Sequence, residues 1–351
     1  MLNMEEQEKL SSKCKNCGSE LWYNPKQGCL TCKYCESNYF LPQKRDDAIL
    51  TRQYSRNFHP NKLNRMLTAY KCNNCQTVYY MTSEGVSKKC PNCGGSSCSL
   101  VEDAGYCADG IIPFKISKEQ ASKKFTEYLK GKAGVPRALK KLASNQMLMG
   151  VYLPVWNFSF NISGSYSATA TELKKDSSGS FYSVPKPVFG EKYKRIKSHD
   201  QSACNAEDEI FLDLFDENDY AELIPYTPEY TYGYRVNAID KNIHDYYYKI
   251  TNEAEHDLER EMKRSVLKKY KEVSDVSVDA VADDVFFNFA YVPVYVNTFT
   301  HKNKTYKTYI SGTTGKVIGS SPKSPLRFLK YFLEGVAVAG IVGLLAYLLM
   351  K

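Results

Sequence analysis

Residues 14–35 read Cys14-Lys-Asn-Cys17 and, fourteen residues later, Cys32-Lys-Tyr-Cys35, and residues 72–93 repeat the arrangement as Cys72-Asn-Asn-Cys75 and Cys90-Pro-Asn-Cys93. Two Cys-x-x-Cys pairs at this spacing are typical of a zinc ribbon, in which each pair supplies two thiolates from a tight turn. The intervening segment folds back as a hairpin and brings the second pair across to the first. The sequence therefore predicts two zinc ribbons in tandem, each holding one Zn²⁺.

Small residues support the turns at these cysteines. Gly18 and Gly94 each follow the second cysteine of a pair, where positive φ lets the backbone amides turn toward sulfur. A site with four thiolate ligands has no open position for water or substrate, so both ions are expected to be structural. Cys29 stands three residues before Cys32 and is an alternative ligand, although its use would break the equality of the two copies.

Composition bounds the rest of the chain. Its 351 residues are 25% charged and 43% apolar, which is typical of a folded protein of two or three units. The first ten residues are rich in glutamate, so we expect no secretory signal peptide and, with reduced thiols, a cytoplasmic setting. We predict zinc ribbon 1 at 1–40, a basic linker at 41–68, zinc ribbon 2 at 69–100 and an α+β domain at 111–325.

An apolar segment lies near the C-terminus. Glu334 is the only charged residue in 331–350, and at helical rise this segment spans roughly 30 Å, about one hydrocarbon thickness. The sequence predicts a transmembrane helix and hence a tail-anchored, single-pass protein of the cell membrane, with a buried or interfacial helix as the alternative. Preceding basic residues would keep the N-terminal bulk cytoplasmic and meet anionic lipid: Lys323, Arg327 and Lys330. Small residues would allow a helix–helix contact: Gly335, Ala339 and Gly343.

A second repeat lies between the cysteines and this tail. Tyr152-Leu-Pro-Val-Trp156 matches Tyr291-Val-Pro-Val-Tyr295, and each motif is followed by a tyrosine-bearing segment and a Ser/Thr-Gly turn. Aromatic and β-branched residues in this pattern favour half-buried strands. We therefore predict duplicated β-hairpin units at about 148–180 and 287–320.

Two helices are predicted beside these hairpins. Ser117, with Gln120 three residues later, forms a capping box that starts a helix at 118–130. Apolar residues recur every three or four positions over 243–271 and predict a longer amphipathic helix. The predicted fold class is multidomain: two small β zinc ribbons, an α+β domain containing duplicated β-hairpin units with helices, and one C-terminal transmembrane helix.

No sequence motif predicts catalysis. The run Gly312-Thr-Thr-Gly-Lys316 is too short for a phosphate-binding loop and lacks the following Ser or Thr, so it indicates a hairpin turn. Glu253 and His256 have the spacing of a di-iron ligand pair, but the matching carboxylates on other helices are missing. No Ser or Cys lies in a pattern that predicts an activated nucleophile. We therefore predict that the protein is not an enzyme.

Several further motifs occur together along nearly the whole chain: Cys14-x-x-Cys-Gly-Ser-Glu-Leu21, Ile111-Ile-Pro-Phe-Lys-Ile-Ser-Lys118, Pro225-Tyr-x-Pro-x-Tyr-x-x-Gly-Tyr234 and the two Tyr-x-Pro-Val-aromatic strands. In this combination the chain resembles the bacterial membrane-associated tandem zinc-ribbon proteins, often labelled transcription-factor-IIB-type zinc ribbons or primosomal helicases. The resemblance implies a non-catalytic protein whose eight paired cysteines bind zinc. It also implies partners among phage-shock or stomatin-like envelope-stress factors. The helicase label has no support, because the sequence lacks ATPase motifs.

Two classes of function fit these features. A membrane-anchored adaptor or scaffold would present its cytoplasmic domain to membrane proteins and cytoplasmic proteins. A nucleic-acid binder would instead use a basic and aromatic strip between the ribbons to contact phosphates and stack on bases: Lys44, Arg45, Arg52, Tyr54, Arg56, Phe58, Lys62 and Arg65. Residues 1–116 hold fifteen Lys and Arg against eleven Asp and Glu, a net charge of only +4, so the adaptor is the favoured prediction.

Overall fold

Strands dominate the architecture. The computed structural model describes residues 13–41, 49, 51–58, 68–81, 90, 95–101, 108–132, 135, 148–205, 207–239, 241–270, 272–301 and 304–320. The strands before residue 112 are short: β1 (Leu21–Asn24), β2 (Cys29–Cys32), β3 (Asn38–Phe40), β4 (Arg52–Gln53), β5 (Thr68–Cys72), β6 (Val78–Met81), β7 (Cys98–Val101) and β8 (Gly110–Ile111).

Long strands and helices follow. In chain order they are α1 (Lys118–Gly131), β9 (Met149–Lys175), β10 (Phe181–Ser202), α2 (Glu217–Tyr220), β11 (Ile224–Pro225), β12 (Arg235–Asn237), α3 (Ile243–Lys269), β13 (Val273–His301), β14 (Lys304–Ser311) and β15 (Val317–Gly319). Two 3₁₀ turns, Glu209–Leu214 and Pro228–Thr231, lie between them. Strands β1 to β3 form a separate sheet, whereas the others belong to a twelve-stranded sheet.

The two Tyr-x-Pro-Val motifs lie side by side at the centre of the large sheet. Strands β9 and β13 pair antiparallel, with Tyr152 opposite Pro293 and Pro154 opposite Tyr291. An approximate two-fold axis therefore passes through the pair Leu153 and Val292. Each motif strand also receives a short parallel neighbour, β12 beside β9 and β8 beside β13. The duplicated unit is thus a short strand, a helix, a long strand and a returning strand. The first copy is β8, α1, β9 and β10, and the second is β12, α3, β13 and β14.

The two faces of the central strands are covered by different elements. Alternate side chains point to opposite faces of a strand. On one face Tyr152 and Trp156 join the core that also contains Phe125 of α1 and Ile250 of α3. On the other face Leu153 packs in a cluster with residues of the turn Glu209–Leu214. The residues of β9 in this cluster lie between 149 and 155, so the turn covers only the first part of β9.

Both predicted long helices are confirmed. The capping box that starts α1 is present, with the Gln120 side chain accepting from Ser117 N at 2.7 Å. Helix α3 begins after the N-cap Asn242 and ends two residues before its predicted end. Its apolar stripe, including Leu258 and Met262, covers one face of the extended part of the sheet. We call this extended part the arm, formed by 162–175, 181–196 and 273–283.

The predicted fold class is wrong in two respects. The second cysteine segment is not a separate small ribbon, because β5, β6 and β7 continue the large sheet through the pairing of β6 with β12. In addition, no helix among the described residues is long and apolar enough to cross a membrane. Helix α1 has only 14 residues, and α3 carries charges along its exposed face.

The prediction of a tail-anchored, single-pass membrane protein is corrected on that second finding. Segment 331–350, from which it came, lies outside the described residues, as do the six positions named with it: Lys323, Arg327, Lys330, Gly335, Ala339 and Gly343. Four basic positions of the strip between the ribbons also lie outside them: Lys44, Arg45, Lys62 and Arg65.

Candidate metal centres

The first cysteine group is complete. The Sγ atoms of Cys14, Cys17, Cys32 and Cys35 all lie within 4.8 Å of one another. Cys14 Sγ is 3.4 Å from Cys35 Sγ, and Cys17 Sγ is 3.4 Å from Cys32 Sγ. Disulfide sulfurs would be about 2.05 Å apart, whereas Zn–S bonds of about 2.3 Å in a tetrahedron place sulfurs roughly 3.8 Å apart. The group therefore fits a tetrahedral metal ion and can hold one.

Tight turns of the backbone position these four sulfurs. Gly18 N donates to Cys14 O at 2.9 Å, and Glu36 N donates to Cys32 O at 3.0 Å. Both donors have positive φ, 72° at Gly18 and 59° at Glu36. Positive φ turns the following amides back toward the cysteines, and glycine adopts it at the least cost. The alternative ligand Cys29 lies outside the group of four sulfurs and contacts the side chains of Gln27 and Thr31.

Hydroxyl groups stabilise the thiolates of this first group. Tyr39 Oη lies 3.3 Å from Cys14 Sγ, and Ser37 Oγ lies 3.1 Å from Cys35 Sγ. The Tyr39 hydroxyl is the main reason that the pKa of Cys14 falls to about 6. Hydrogen bonds from Ser19 lower the pKa of Cys17. Thiolates are the form that binds a metal, so these contacts prepare the group for a cation.

The pKa of Cys32 in the same group shifts upward, in the opposite direction to those of Cys14 and Cys17. The backbone N–H of Cys35 lowers its pKa, but burial and the neighbouring thiols of Cys17 and Cys35 outweigh this effect and raise the pKa to about 11. Sulfurs this close cannot all ionise without a compensating positive charge. A bound divalent cation would supply that charge and deprotonate the fourth thiol.

The second cysteine group contains Cys72, Cys75 and Cys90, whose sulfurs also lie within 4.8 Å of one another. Cys75 Sγ is 3.5 Å from Cys90 Sγ. The predicted fourth ligand, Cys93, lies outside the described residues. Three thiols at these separations can hold a metal ion.

The two groups share a local pattern that the sequence prediction missed. Residues 32–39 and 72–79 both read Cys-x-x-Cys-x-Ser/Thr-x-Tyr. In the second copy Gln76 has φ 62°, and Cys75 Sγ lies 3.2 Å from Thr77 Oγ1, as Cys35 lies near Ser37 in the first. This repeated spacing was the available signal that a Ser or Thr hydroxyl lies beside the second cysteine of each pair.

The tyrosine of the second copy has a different partner. Tyr79 donates to Cys98 Sγ at 2.9 Å, and Cys98 on β7 is opposite Cys72 on β5. Arg235 of β12 lies close to this cluster. Burial of the guanidinium group lowers the pKa of Arg235, whereas Tyr79 and the thiols of Cys90 and Cys98 raise it. A half-buried cation therefore faces the second cysteine group.

The two ribbons attach to the large sheet in different ways. Ribbon 1 docks through β1: the backbone Tyr23 N donates to Tyr232 O at 2.9 Å, and the Tyr23 ring contacts the Tyr230 ring edge-on at 5.0 Å. Gly233 has φ +83°, and a Cβ there would lie 2.8 Å from Cβ of Trp22. Ribbon 2 instead continues the sheet, because Tyr79 and Tyr80 of β6 pair with β12.

The aromatic residues of the predicted nucleic-acid strip are used inside the fold. The Tyr54 ring stacks on Tyr247 at 3.8 Å, and the Phe58 ring packs edge-on against Phe287 at 4.7 Å. Arg52 forms an ion pair with the buried carboxylate of Asp109. Within the described residues, these side chains anchor the segment between the ribbons to the domain and do not form an open stacking surface.

Comparison with known proteins gives one similar relative. The chain is 22% identical over 336 residues to the Bacillus subtilis (strain 168) protein named uncharacterized protein YdjG, covering 93% of this chain and 94% of that protein. No protein-family model matches the chain, and no solved structure matches it at a significant level. The relative's name states no activity.

Proposed function

We propose that this protein is a non-catalytic adaptor in which two zinc ions complete two ribbons and a large β scaffold presents binding surfaces to partner proteins. The geometry of the first cysteine group carries the proposal. Its four sulfurs surround one position, Tyr34 N donates to Cys32 Sγ at 3.4 Å, and the Tyr39 hydroxyl lies 3.3 Å from Cys14 Sγ. With four thiolate ligands, a zinc ion there has no site for a substrate.

Zinc would act by stabilising the fold. Ribbon 1 has a three-stranded sheet whose strands are only three or four residues long, and small units of this kind need a metal to remain folded. Bound zinc would link the turns at 14–17 and 32–35 and hold β1 in the position from which it contacts Tyr232. The metal would thus maintain the arrangement of surfaces around Pro225–Tyr234, which is part of the motif set that resembles the tandem zinc-ribbon proteins.

Protein partners are favoured over nucleic acid. The aromatic side chains that would stack on bases, Tyr54 and Phe58, are packed against α3 and the sheet. Arg52, a predicted phosphate contact, is neutralised by Asp109. The resemblance identifies phage-shock and stomatin-like proteins as the class of partner to examine first.

The test is a native purification of the tagged full-length chain with zinc, protein and nucleic acid measured in one sample. Cys32→Ser removes a ligand, and Cys29→Ser is the matched control because Cys29 is a buried neighbour outside the group. We expect about two zinc ions per chain in the native protein and in Cys29→Ser, and about one in Cys32→Ser. We also expect a protein partner to co-purify in stoichiometric amount, without nucleic acid.

Two results would contradict the proposal. Unchanged zinc content in Cys32→Ser would mean that the ligand set is wrong. Nuclease-sensitive nucleic acid in place of any protein partner would replace the adaptor function with nucleic-acid binding.

A further inference from the structure

Among the residues that the structure describes, one face of the arm is covered and the other is open. Helix α3 covers the first, where Leu258, Met262 and Val266 pack on Ile162 and Ala168. Side chains alternate between the two faces of a strand, so the odd-numbered residues of this part of β9 face away from α3. Three of them, Ser163, Ser165 and Ser167 on the central strand β9, are exposed. The turn Glu209–Leu214 covers this same face of β9 over residues 149–155, and its cluster contains no residue of the arm.

The strand register arranges the open face in three rows. Ser167 lies between Phe189 and Ser277, Ser165 between Glu191 and Asp279, and Ser163 between Tyr193 and Val281. Side chains opposite one another on adjacent antiparallel strands share a face and are neighbours. The small serines therefore form a floor with larger side chains along both sides. We call this surface the serine groove.

Two adjoining surface depressions follow the serine groove, with volumes of about 500 and 610 Å³. Both are lined by Ser165, Glu191 and Asp279. The first extends toward Phe189 and the second toward Tyr193 and Val281. The carboxylate row thus lies at the middle of the groove, where the two depressions meet.

Aromatic rings adjoin this carboxylate row. Phe189 is 73% exposed and Tyr193 is 63% exposed, high values for large apolar side chains on a strand. They lie on β10 one row to either side of Glu191. An exposed apolar patch bordered by charge marks a surface suited to a partner.

The two groove carboxylates differ from three nearby acidic side chains. Glu172 pairs with Lys186 at 3.5 Å, Glu261 pairs with Lys192, and Asp284 accepts from Asn161 at 3.3 Å. Glu191 and Asp279 make no ion pair or side-chain hydrogen bond with any residue that the structure describes. The serine groove therefore carries two uncompensated negative charges in a chain of net charge +8.

We propose that the serine groove binds an extended segment of a partner protein and receives a lysine or arginine side chain of that segment between Glu191 and Asp279. The proposal rests on the adaptor function and names its binding surface. The two carboxylates stand on strands that flank β9, so their Cα atoms are about 10 Å apart, a span that one ammonium or guanidinium group can bridge. Phe189 and Tyr193 would contact the aliphatic stem and the cation.

The experiment measures binding of short dye-labelled peptides of alternating threonine and valine with lysine, arginine or glutamate at the centre. Fluorescence anisotropy is recorded on the full-length protein and on the double variant Glu191→Gln with Asp279→Asn. The matched control is Glu172→Gln with Asp284→Asn, which removes the same charge from β9 and β13 outside the groove. A second variant, Ser165→Leu, fills the floor without changing charge.

We expect the lysine and arginine peptides to bind at least about tenfold more tightly than the glutamate peptide, and the groove variant to lose that difference. The control should retain it, and Ser165→Leu should weaken all three peptides. Equal binding of basic and acidic peptides, equal loss in the control, or no binding of any peptide would overturn the proposal.

Light scattering on the same samples separates two other outcomes. If the groove variant changes the mass of the protein in solution while peptide binding is unaffected, the groove is occupied by a second copy and the proposal fails. If the proposed function is correct but the groove is not its surface, the partner captured in the native purification will remain bound to the groove variant. If no protein partner is captured at all, the adaptor function itself fails.

Discussion

Ribbon 1 and ribbon 2 use the same cysteine pattern but relate to the rest of the fold in opposite ways. Ribbon 1 keeps its three strands in a sheet of its own and joins the domain by side-chain packing, in which Leu21, Tyr23 and Leu30 belong to the main core. Ribbon 2 adds its strands to the large sheet at β12, beside the central strand β9. The same cysteine pattern therefore lies in a docked module in one place and in a continuation of the main sheet in the other.

This difference predicts which part of the fold loses stability when a metal ligand is removed from each ribbon. A docked unit whose described strands pair only with one another can unfold without opening the edge of the large sheet. A unit joined by strand pairing exposes the edge of the large sheet when it unfolds, and it leaves the half-buried Arg235 without the cysteine cluster. The consequences can be tested by pairs of variants, one in each ribbon.

The largest effect is expected from removing one ligand of ribbon 2. Cys72→Ser should lower the free energy of unfolding of the large sheet by about 3 kcal/mol, or roughly 9 °C in the midpoint of thermal unfolding. Cys32→Ser should cause local loss of ribbon 1 and leave that midpoint within about 2 °C of the native value. Scanning calorimetry of the two variants makes the measurement. Equal shifts would show that the ribbons are coupled equally to the sheet.

A smaller effect is expected where ribbon 1 docks. Gly233→Ala places a Cβ 2.8 Å from Cβ of Trp22 at φ +83° and should cost about 2 kcal/mol of docking free energy. Limited proteolysis should then cut ribbon 1 faster while the sheet remains intact. Gly179→Ala is the control, because it has φ +91° in an exposed hairpin and its Cβ would meet only Lys175 Cε at 3.6 Å. Faster cleavage of ribbon 1 in both variants would contradict the docking contact.

The smallest effect concerns a single hydroxyl. Tyr39 holds the pKa of Cys14 at about 6, below the usual 9. A lowered pKa keeps the thiolate as pH falls, so Tyr39→Phe should raise the pH at which ribbon 1 releases its zinc, by about one pH unit. A zinc-indicator dye followed through an acid titration records the release.

Tyr79→Phe is the matched control for this titration. The Tyr79 hydroxyl meets Cys98, which is not part of the second metal group, so zinc release from ribbon 2 should keep its native pH dependence. Equal shifts in the two variants would mean that the tyrosines act through general stability and not through the Cys14 thiolate.

Local features of the sequence were the ones that could be predicted. Cysteine spacing predicted groups that can hold metal, since each Cys-x-x-Cys pair determines its own turn. The capping box at Ser117 predicted the start of α1 because the two hydrogen bonds join residues three apart. The periodicity over 243–271 predicted α3 for the same reason, because helical contacts span one turn.

Long-range pairing could not be predicted in this way. The continuity of ribbon 2 with the large sheet depends on Tyr79 meeting Asn237, and no local pattern links positions so far apart in the chain. The serine groove was also missed, because Ser163, Ser165 and Ser167 form a floor only when β10 and β13 place larger side chains beside them. The carboxylates of Glu191 and Asp279 become neighbours of Ser165 through the same pairing.

The unequal coupling of the two ribbons is tested most directly by hydrogen exchange of the native protein, Cys32→Ser and Cys72→Ser, read at the peptides that contain β12 and the start of β9. The account predicts that Cys72→Ser speeds exchange at Arg235–Asn237 and at neighbouring residues of β9, whereas Cys32→Ser changes exchange only within ribbon 1 and at its docking contact. Protection at β12 that is the same in both variants would contradict it.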